Sequence, residues 1–590
     1  MRKIVEVLIV VFFFVINPFG LKTATDEASV ILISKLAAPF YPGSSPAGAL
    51  RFDIGQDQIA VALMTDRAAE DIAGGYPVPL RDHGLTIAQI LCAGAKAVFV
   101  DINFRWERSE GDVGRFYDAL RYRLTGSGCR QLSPEALKAP EVAKVFIGHI
   151  SSTTSPCDPF LVNENSTPAT ACAKRPGFLD IARLKEIATI IDIPEPLSDL
   201  RYDLGKAAIR RSTDADTRSA DSLRNISPAW AMLRVYCGGG GDKPSICATI
   251  DRADREPHET VLTTRWGIDV SPRDPKLKRS LGGSCPFQQR VESVPGKVWN
   301  MTRNLGLDPT QIGEEGYCSY HDTMVASDIR LAADLGDEVA PHLAMSGNDA
   351  LRKYFDQRMV FYGIQITGIA DETRSPTLGR MPGVYAHAMA LDNLITQDNK
   401  HWRDPPERLW WNAAEWLDLF LALSFIFFAW VVEEKNDEEF QRVALEKNDL
   451  HPPAILTFLW AVPLWLCNLY PRVRGRDPRP DFVVPGAPVG YEVRALVYRR
   501  QVCRNNAFKL ISFVVVVSLM LGLHFGAHWP PNNWIVLFAV FLETRPSHRK
   551  YDEWTGHKHP WYRRSVDWLP ALWRRWFKSS NADTTPAPHG

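Results

Sequence analysis

Apolar and polar positions divide this chain into three zones. A short apolar run at 4–16 follows Arg2 and Lys3, a long polar stretch comes next, and apolar runs return after Leu409. Inside the polar stretch the periodicity predicts strands alternating with helices. Residues 59–64 read as a strand, 81–93 as a helix, 97–101 as a second strand, 113–124 as a helix and 142–147 as a third strand. Residues 360–366 read as a closing strand. A polar loop bearing Gly, Thr, Ser and Pro follows, then a Pro382-Gly383 turn and a helix with Val384, His387, Ala388, Leu391 and Leu394 on one face. This order predicts an α/β domain with a mostly parallel sheet and helices on both faces. Residues 180–353, rich in Pro, Gly and charge, are expected to extend it with loops and irregular insertions.

The outer zones change the picture by adding a membrane. The basic flank and short apolar run at 1–22 fit a signal anchor or a secretory leader. No A-x-A site precedes Lys22-Thr23-Ala24-Thr25, which favours the uncleaved anchor, and in both cases residues 23–408 are exported. Residues 410–432 and 507–528 read as spanning helices, and 534–542 as a shorter span behind the turn Trp529-Pro530-Pro531-Asn532-Asn533. The Pro-interrupted segment 453–470 is expected to be re-entrant or interfacial. Were it to span, the arginines between Arg472 and Arg504 would lie outside, against the orientation bias of basic loops. The predicted layout is therefore an anchor (1–22), an exported domain (23–408), a membrane region (409–545) and a cytoplasmic Trp/Arg-rich tail (546–590).

Composition narrows the chemistry. Sixty-eight basic and 68 acidic residues balance to a formal charge of zero, so bulk electrostatics gives nucleic-acid binding no support. Eight of ten cysteines fall in the segment expected outside. Cys157 with Cys172, and Cys237 with Cys247, are close enough in sequence to close as disulfides, whereas Cys92, on the apolar face of its helix, is expected to be an isolated buried thiol. The absence of C-x-x-C pairs and of suitably spaced histidines makes a metal site a poor alternative. Gly238-Gly239-Gly240-Gly241-Asp242-Lys243 lacks the Ser/Thr of a phosphate loop, and no G-x-S-x-G or H-E-x-x-H motif is present. No catalytic residues, metal or cofactor are expected.

Ligands of open parallel sheets bind at the carboxyl ends of strands. That rule selects Asp66, Asp101, Asn103, His149 and, after the closing strand, the loop 367–377 with Asp371, Thr373 and Thr377. Each has a plainer alternative. Asp101 is either a ligand contact or the cap of a following turn. His149 reads as a loop residue, and His387 is either functional or a satisfied, half-buried histidine. Asp371, Thr373 and Thr377 either bind a polar ligand or build the loop.

The closing segment carries a resemblance. Leu378, Gly379, Met381, Pro382, Gly383, Val384, His387, Ala388, Ala390, Asn393 and Leu394 stand in register with a motif of the second type of CHASE domain. Residues 94–104, Gly-Ala-Lys-Ala-Val-Phe-Val-Asp-Ile-Asn-Phe, resemble that family's opening motif. The resemblance implies an extracytoplasmic sensory domain of the kind found in bacterial cyclases, histidine kinases and Ser/Thr kinases, followed by three spanning helices.

Such receptors continue into a kinase or cyclase, and only about fifty residues follow Leu542 here. The expectation is therefore an inner-membrane sensor or transducer subunit that detects an unknown small-molecule or envelope ligand. It would act through a separate cytoplasmic or membrane effector, with the lipid bilayer as a further partner. The alternatives are a structural or assembly protein of the cell envelope, or an exported enzyme.

Overall fold

The computed structural model describes residues 21–42, 54–102, 111–125, 144–149, 188–192, 201–204, 227–238, 245–248, 261–267, 320–336, 338–340, 345–368 and 371–398, with short pieces between 402 and 424 and residues 296 and 518. The chain enters through α1 (Leu21–Ala37) and a 3-10 turn (Ala38–Phe40), and a one-turn helix α2 (Gly55–Gln58) leads into β1 (Ile59–Thr65). Then come α3 (Asp66–Ala73), α4 (Leu80–Cys92), β2 (Ala97–Asp101), α5 (Asp112–Thr125), β3 (Lys144–His149) and β4 (Ala188–Asp192). A small antiparallel pair, β5 (Arg201–Asp203) and β6 (Val261–Thr263), brackets α6 (Pro228–Gly238). The chain continues with β7 (Asp322–Val325), α7 (Ala326–Leu335), the two-residue strands β8 (Val339–Ala340) and β9 (Met345–Ser346), α8 (Gly347–Phe355) and β10 (Met359–Gln365). A hairpin of β11 (Glu372–Ser375) and β12 (Gly379–Pro382) follows, and then α9 (Val384–Gln397).

Six strands form one all-parallel sheet in the order β4-β3-β2-β10-β1-β7. The strand formed last, β10, fills the gap between the first two. Its register pairs Ile59 with Met359 on one side and Met359 with Ala97 on the other. Both faces of the sheet are covered, so the central strands do not alternate, and the polar residues Thr65, Asp101 and Gln365 fall only at their last positions. Ala60, Ala62 and Met64 of β1 point with Val98, Val100, Val360, Tyr362 and Ile364 into a core closed by α3, α4, α5, α7 and α8. Ile59, Val61 and Leu63 point with Ala97, Phe99, Met359 and Phe361 into a second core, closed by α6, α9, Tyr202 and Trp266. α9 comes so close to the sheet that a methyl on Gly363 would stand 2.5 Å from Val384 Cβ, which leaves glycine the only residue that fits.

The predicted elements at 59–64, 81–93, 97–101, 113–124 and 360–366 form with ends shifted by at most one residue, and the helix carrying Val384 to Leu394 forms and runs on to Gln397. The strand predicted at 142–147 runs two residues further along, so His149 ends a strand and does not lie in a loop. Residues 180–353 are more than loops. Among the described residues they supply an edge strand on each side of the sheet, β4 and β7, together with α6, α7 and most of α8; short strands buried on both faces carry no alternation to read. The loop expected at 367–377 contains half of a hairpin.

Cys237 and Cys247 are bonded, as their spacing predicts, with Cα atoms 5.3 Å apart. Cys92 is disulfide-bonded too, which corrects the expectation of an isolated thiol. It is the last residue of α4, half-buried where the helix ends, and its partner lies outside the described residues, as does the pair Cys157 and Cys172. Among the described residues no helix is long and apolar enough to cross a membrane. The segments expected to span at 410–432, 507–528 and 534–542, the interfacial segment 453–470, the tail and most of the anchor lie outside or almost wholly outside the described residues.

Candidate functional site

Period-two geometry places the first group. Asp101 continues the row Ala97 and Phe99 on β2 and therefore turns toward the face that α9 covers. His387, in the first turns of α9, meets it there, with Nε2 3.5 Å from Asp101 Oδ2 and the imidazole edge-on to Phe99, ring centroids 5.3 Å apart. Tyr202 of β5 holds the other side of the ring, its hydroxyl 2.7 Å from His387 Nδ1. That hydroxyl also accepts a hydrogen bond from Ala229 N–H at the start of α6. The hydroxyl can accept from Ala229 N–H and still either donate to or accept from Nδ1, so the tautomer of the imidazole sets which of the two carries the proton.

Asp371 completes the group. Its backbone oxygen accepts from Gly383 N–H, and its carboxylate lies against Gly383, the residue that caps α9. Among the described residues no donor reaches that carboxylate. Burial raises its pKa, the neighbouring Asp101 charge raises it further and His387 lowers it, with the outcome at about 7. One end of the central strands thus holds two carboxyls and an imidazole, and one of those carboxyls exchanges its proton near neutrality.

The other predicted residues divide. Asp66, at the start of α3, is exposed, and its carboxylate accepts from Thr367 N–H at 3.0 Å and Thr367 Oγ1 at 2.6 Å, fastening the ends of β1 and β10 together. Thr377 is buried and turned to Ser375 Oγ, at 3.2 Å, and to Gly267 O. Thr373 is buried in the hairpin, paired across from Met381, and makes no contact with the carboxyl group among the described residues. Asn103 and the side chain of His149 lie outside the described residues. Among the described residues no group of His, Cys, Asp and Glu has the arrangement of a metal site.

A second carboxylate, missed in the sequence, is fully buried further along α9. Asp392 Oδ1 accepts from Tyr41 Oη at 2.6 Å and Thr396 Oγ1 at 2.9 Å, and Oδ2 lies 3.0 Å from His321 Nε2. Burial and the Asp392 charge push the Tyr41 phenol well above its usual pKa, so it stays a donor. Gly55 packs so close that a methyl there would lie 2.6 Å from Asp392 Cα. Beside it, the Asn393 side-chain amide pairs with both backbone groups of Arg265, and the Arg265 guanidinium stacks 4.7 Å over Trp402. The available cue was a lone acid inside the apolar run Ala388-Met389-Ala390-Leu391-Asp392. Tyr202 offered no cue, since its strand is three residues long.

This arrangement, a parallel sheet closed by its own last strand with the chain leaving along α9, is accompanied by a family match. A family model, the CHASE2 domain, matches residues 44–431, and the chain belongs to that family. The family is extracytoplasmic and sensory, in agreement with the motifs at 94–104 and 378–394. No curated protein and no solved structure matches the chain.

Proposed function

We propose that this protein is a membrane-anchored sensor or signal-transducer subunit whose exported domain receives its stimulus at Asp101, Asp371 and His387 and passes it to a cytoplasmic or membrane effector. The observation that carries this reading is Asp371. A half-buried carboxyl acted on by another carboxylate and by an imidazole, without a donor of its own among the described residues, is poised between two charge states. A structural carboxylate is instead saturated with donors, as Asp392 is.

A two-state receiver needs a stimulus that interacts differently with the two states. Whatever neutralises Asp371 meets that need. A proton does so near pH 7, and a cationic group on a small ligand would do so by its charge. Among the described residues, the charges that act on Asp371 are Asp101 on β2 and His387 on α9. Glu372, Arg374 and Arg380 of the hairpin are exposed to solvent.

The proposal is tested by amide exchange at 383–388 in the full chain, measured from pH 5.5 to 8.5 and normalised for intrinsic exchange. A transition centred near pH 7 is expected in the wild type and not in Asp371→Asn. A flat wild-type profile rejects this receiver. Topology is checked separately, with an exported reporter expected to be active after Cys318 and inactive after Glu439. Isolation from membranes followed by mass spectrometry is expected to recover a kinase or cyclase effector.

A further inference from the structure

Three separated parts of the chain converge on the C-terminal half of α9. The incoming segment ends at Tyr41, whose hydroxyl donates to Asp392, and its neighbour Pro42 accepts from Tyr320 Oη at 2.6 Å. The outgoing segment passes Trp402, whose carbonyl accepts from Thr263 N–H at 3.1 Å and whose ring lies under Arg265. The stretch 261–267 joins the two, because Arg265 binds Asn393 and Gln397 of α9 while its guanidinium stands 4.7 Å from Trp402 and 5.8 Å from Tyr41. The N-terminal half of the same helix carries His387 and abuts Asp371. One continuous 14-residue helix therefore touches the carboxyl group at one end and both chain passages at the other.

We propose that α9 is the transmission element of this domain and that Asp392 is the positioning residue that ties its movement to the incoming and outgoing segments. This rests on the reading of Asp371 as the receiver. A helix moves as a rigid rod when its internal hydrogen bonds are intact, so a shift at its cap reaches its last turn. What the rod displaces there depends on what is bonded to it. Asp392 is bonded to Tyr41 directly, and it borders Asn393, the partner of the 261–267 stretch. An apolar residue at 392 would fill the same space but let the helix slide past Tyr41. Three donors converging on one carboxylate make the joint directional. Arg265, its pKa lowered by burial, carries the displacement across to Trp402.

The experiment is amide exchange on the full chain in membranes, with Asp371→Asn as the trigger. Three regions are read: 383–388 beside the receiver, 37–42 on the incoming side and 261–266 beside Trp402. In the otherwise wild-type chain, Asp371→Asn is expected to alter exchange at all three, by about fivefold or more at the two remote regions, the lower range of measured couplings between sites. In an Asp392→Asn background the change at 383–388 persists while the remote changes fall below about twofold. Tyr41→Phe, which removes only a hydroxyl and spares the fold if Asp392→Asn does not, selectively loses the change at 37–42. A merely structural Asp392 would leave the remote response to Asp371→Asn undiminished in both backgrounds, and that result overturns the proposal. So does a wild-type response confined to 383–388, which leaves the receiver standing and removes the transmission. No response at 383–388 instead removes the receiver, and the transmission with it.

Discussion

At its C-terminal end α9 holds a carboxylate, Asp392, that has three hydrogen-bonding partners. At its N-terminal end it faces another, Asp371, that accepts none among the described residues. Asp371 is only half-buried, and under the reading proposed above the two are put to opposite uses. Asp392 is fully buried, where an unpartnered charge is very costly, and its partners come from the incoming segment, the run before β7 and its own helix. A carboxylate so satisfied locks together the parts that satisfy it. Asp371 lies beside a like charge and an imidazole, where both protonation states are within reach. On the proposed reading, the number and origin of its donors decide whether a carboxyl is a joint or a sensor.

The largest effect expected from breaking this contrast is at the joint. Asp392→Ala strands the Tyr41 hydroxyl and the His321 imidazole inside the core, and we expect a loss of about 3 to 5 kcal/mol in chemical denaturation. If that loss is below about 1 kcal/mol, the saturated carboxylate contributes little and the contrast collapses.

The disulfide sharpens the same side. Just beside Cys247, Ser245 N–H, Ser245 Oγ and Ile246 N–H donate to the carboxylate of Asp398, the cap at the end of α9. Closing the ten-residue loop between Cys237 and Cys247 is expected to contribute roughly 2 to 3 kcal/mol. Replacing both cysteines by serine should lower the denaturation midpoint accordingly and raise amide exchange around 392–398 more than around 383–388. Equal change at both ends of the helix would mean that the two halves are not separately supported.

The most diagnostic effect is at Asp371. Its folded pKa of about 7 lies above its ordinary value of 3.8, so the native state holds a proton that the unfolded chain has released. The stability this group contributes is full below pH 3.8 and is lost as pH rises through about 7. Asp371→Asn should remove that decline, so that the substituted chain is more stable than the wild type at pH 8 and differs least at low pH. A substitution that destabilises at every pH would make Asp371 a second joint.

Much of this fold was legible in the sequence. Central parallel strands are continuous apolar runs, and β1, β2 and β10 announce themselves as such, while α4, α5 and α9 show helical periodicity. Two of the three proposed receiver groups, Asp101 at a strand end and His387 on a helix, were selected by their places in such elements, and Asp371 by following one. The remainder is absent for physical reasons. β7 and β5 are four and three residues long, too short for any period to register, so the edge of the sheet and the position of Tyr202 were invisible. Cys92 sits on a helix whose apolar face suggested burial, but a thiol at the last helical position has its surroundings set by whatever chain lies beyond.

What the sequence determined by itself is therefore the alternation of strands and helices, their approximate limits, the family and the residues at the strand ends, because local propensity and burial pattern are written in neighbouring positions. Tertiary structure alone decided that β10 is inserted between β1 and β2, that Tyr202 closes on His387 across 185 residues, and that Tyr41 meets Asp392 across 351. Contacts at that separation depend on which faces pack together. The difference between a carboxylate with three partners and one with none among the described residues is a property of that packing, and each aspartate looks the same in the sequence.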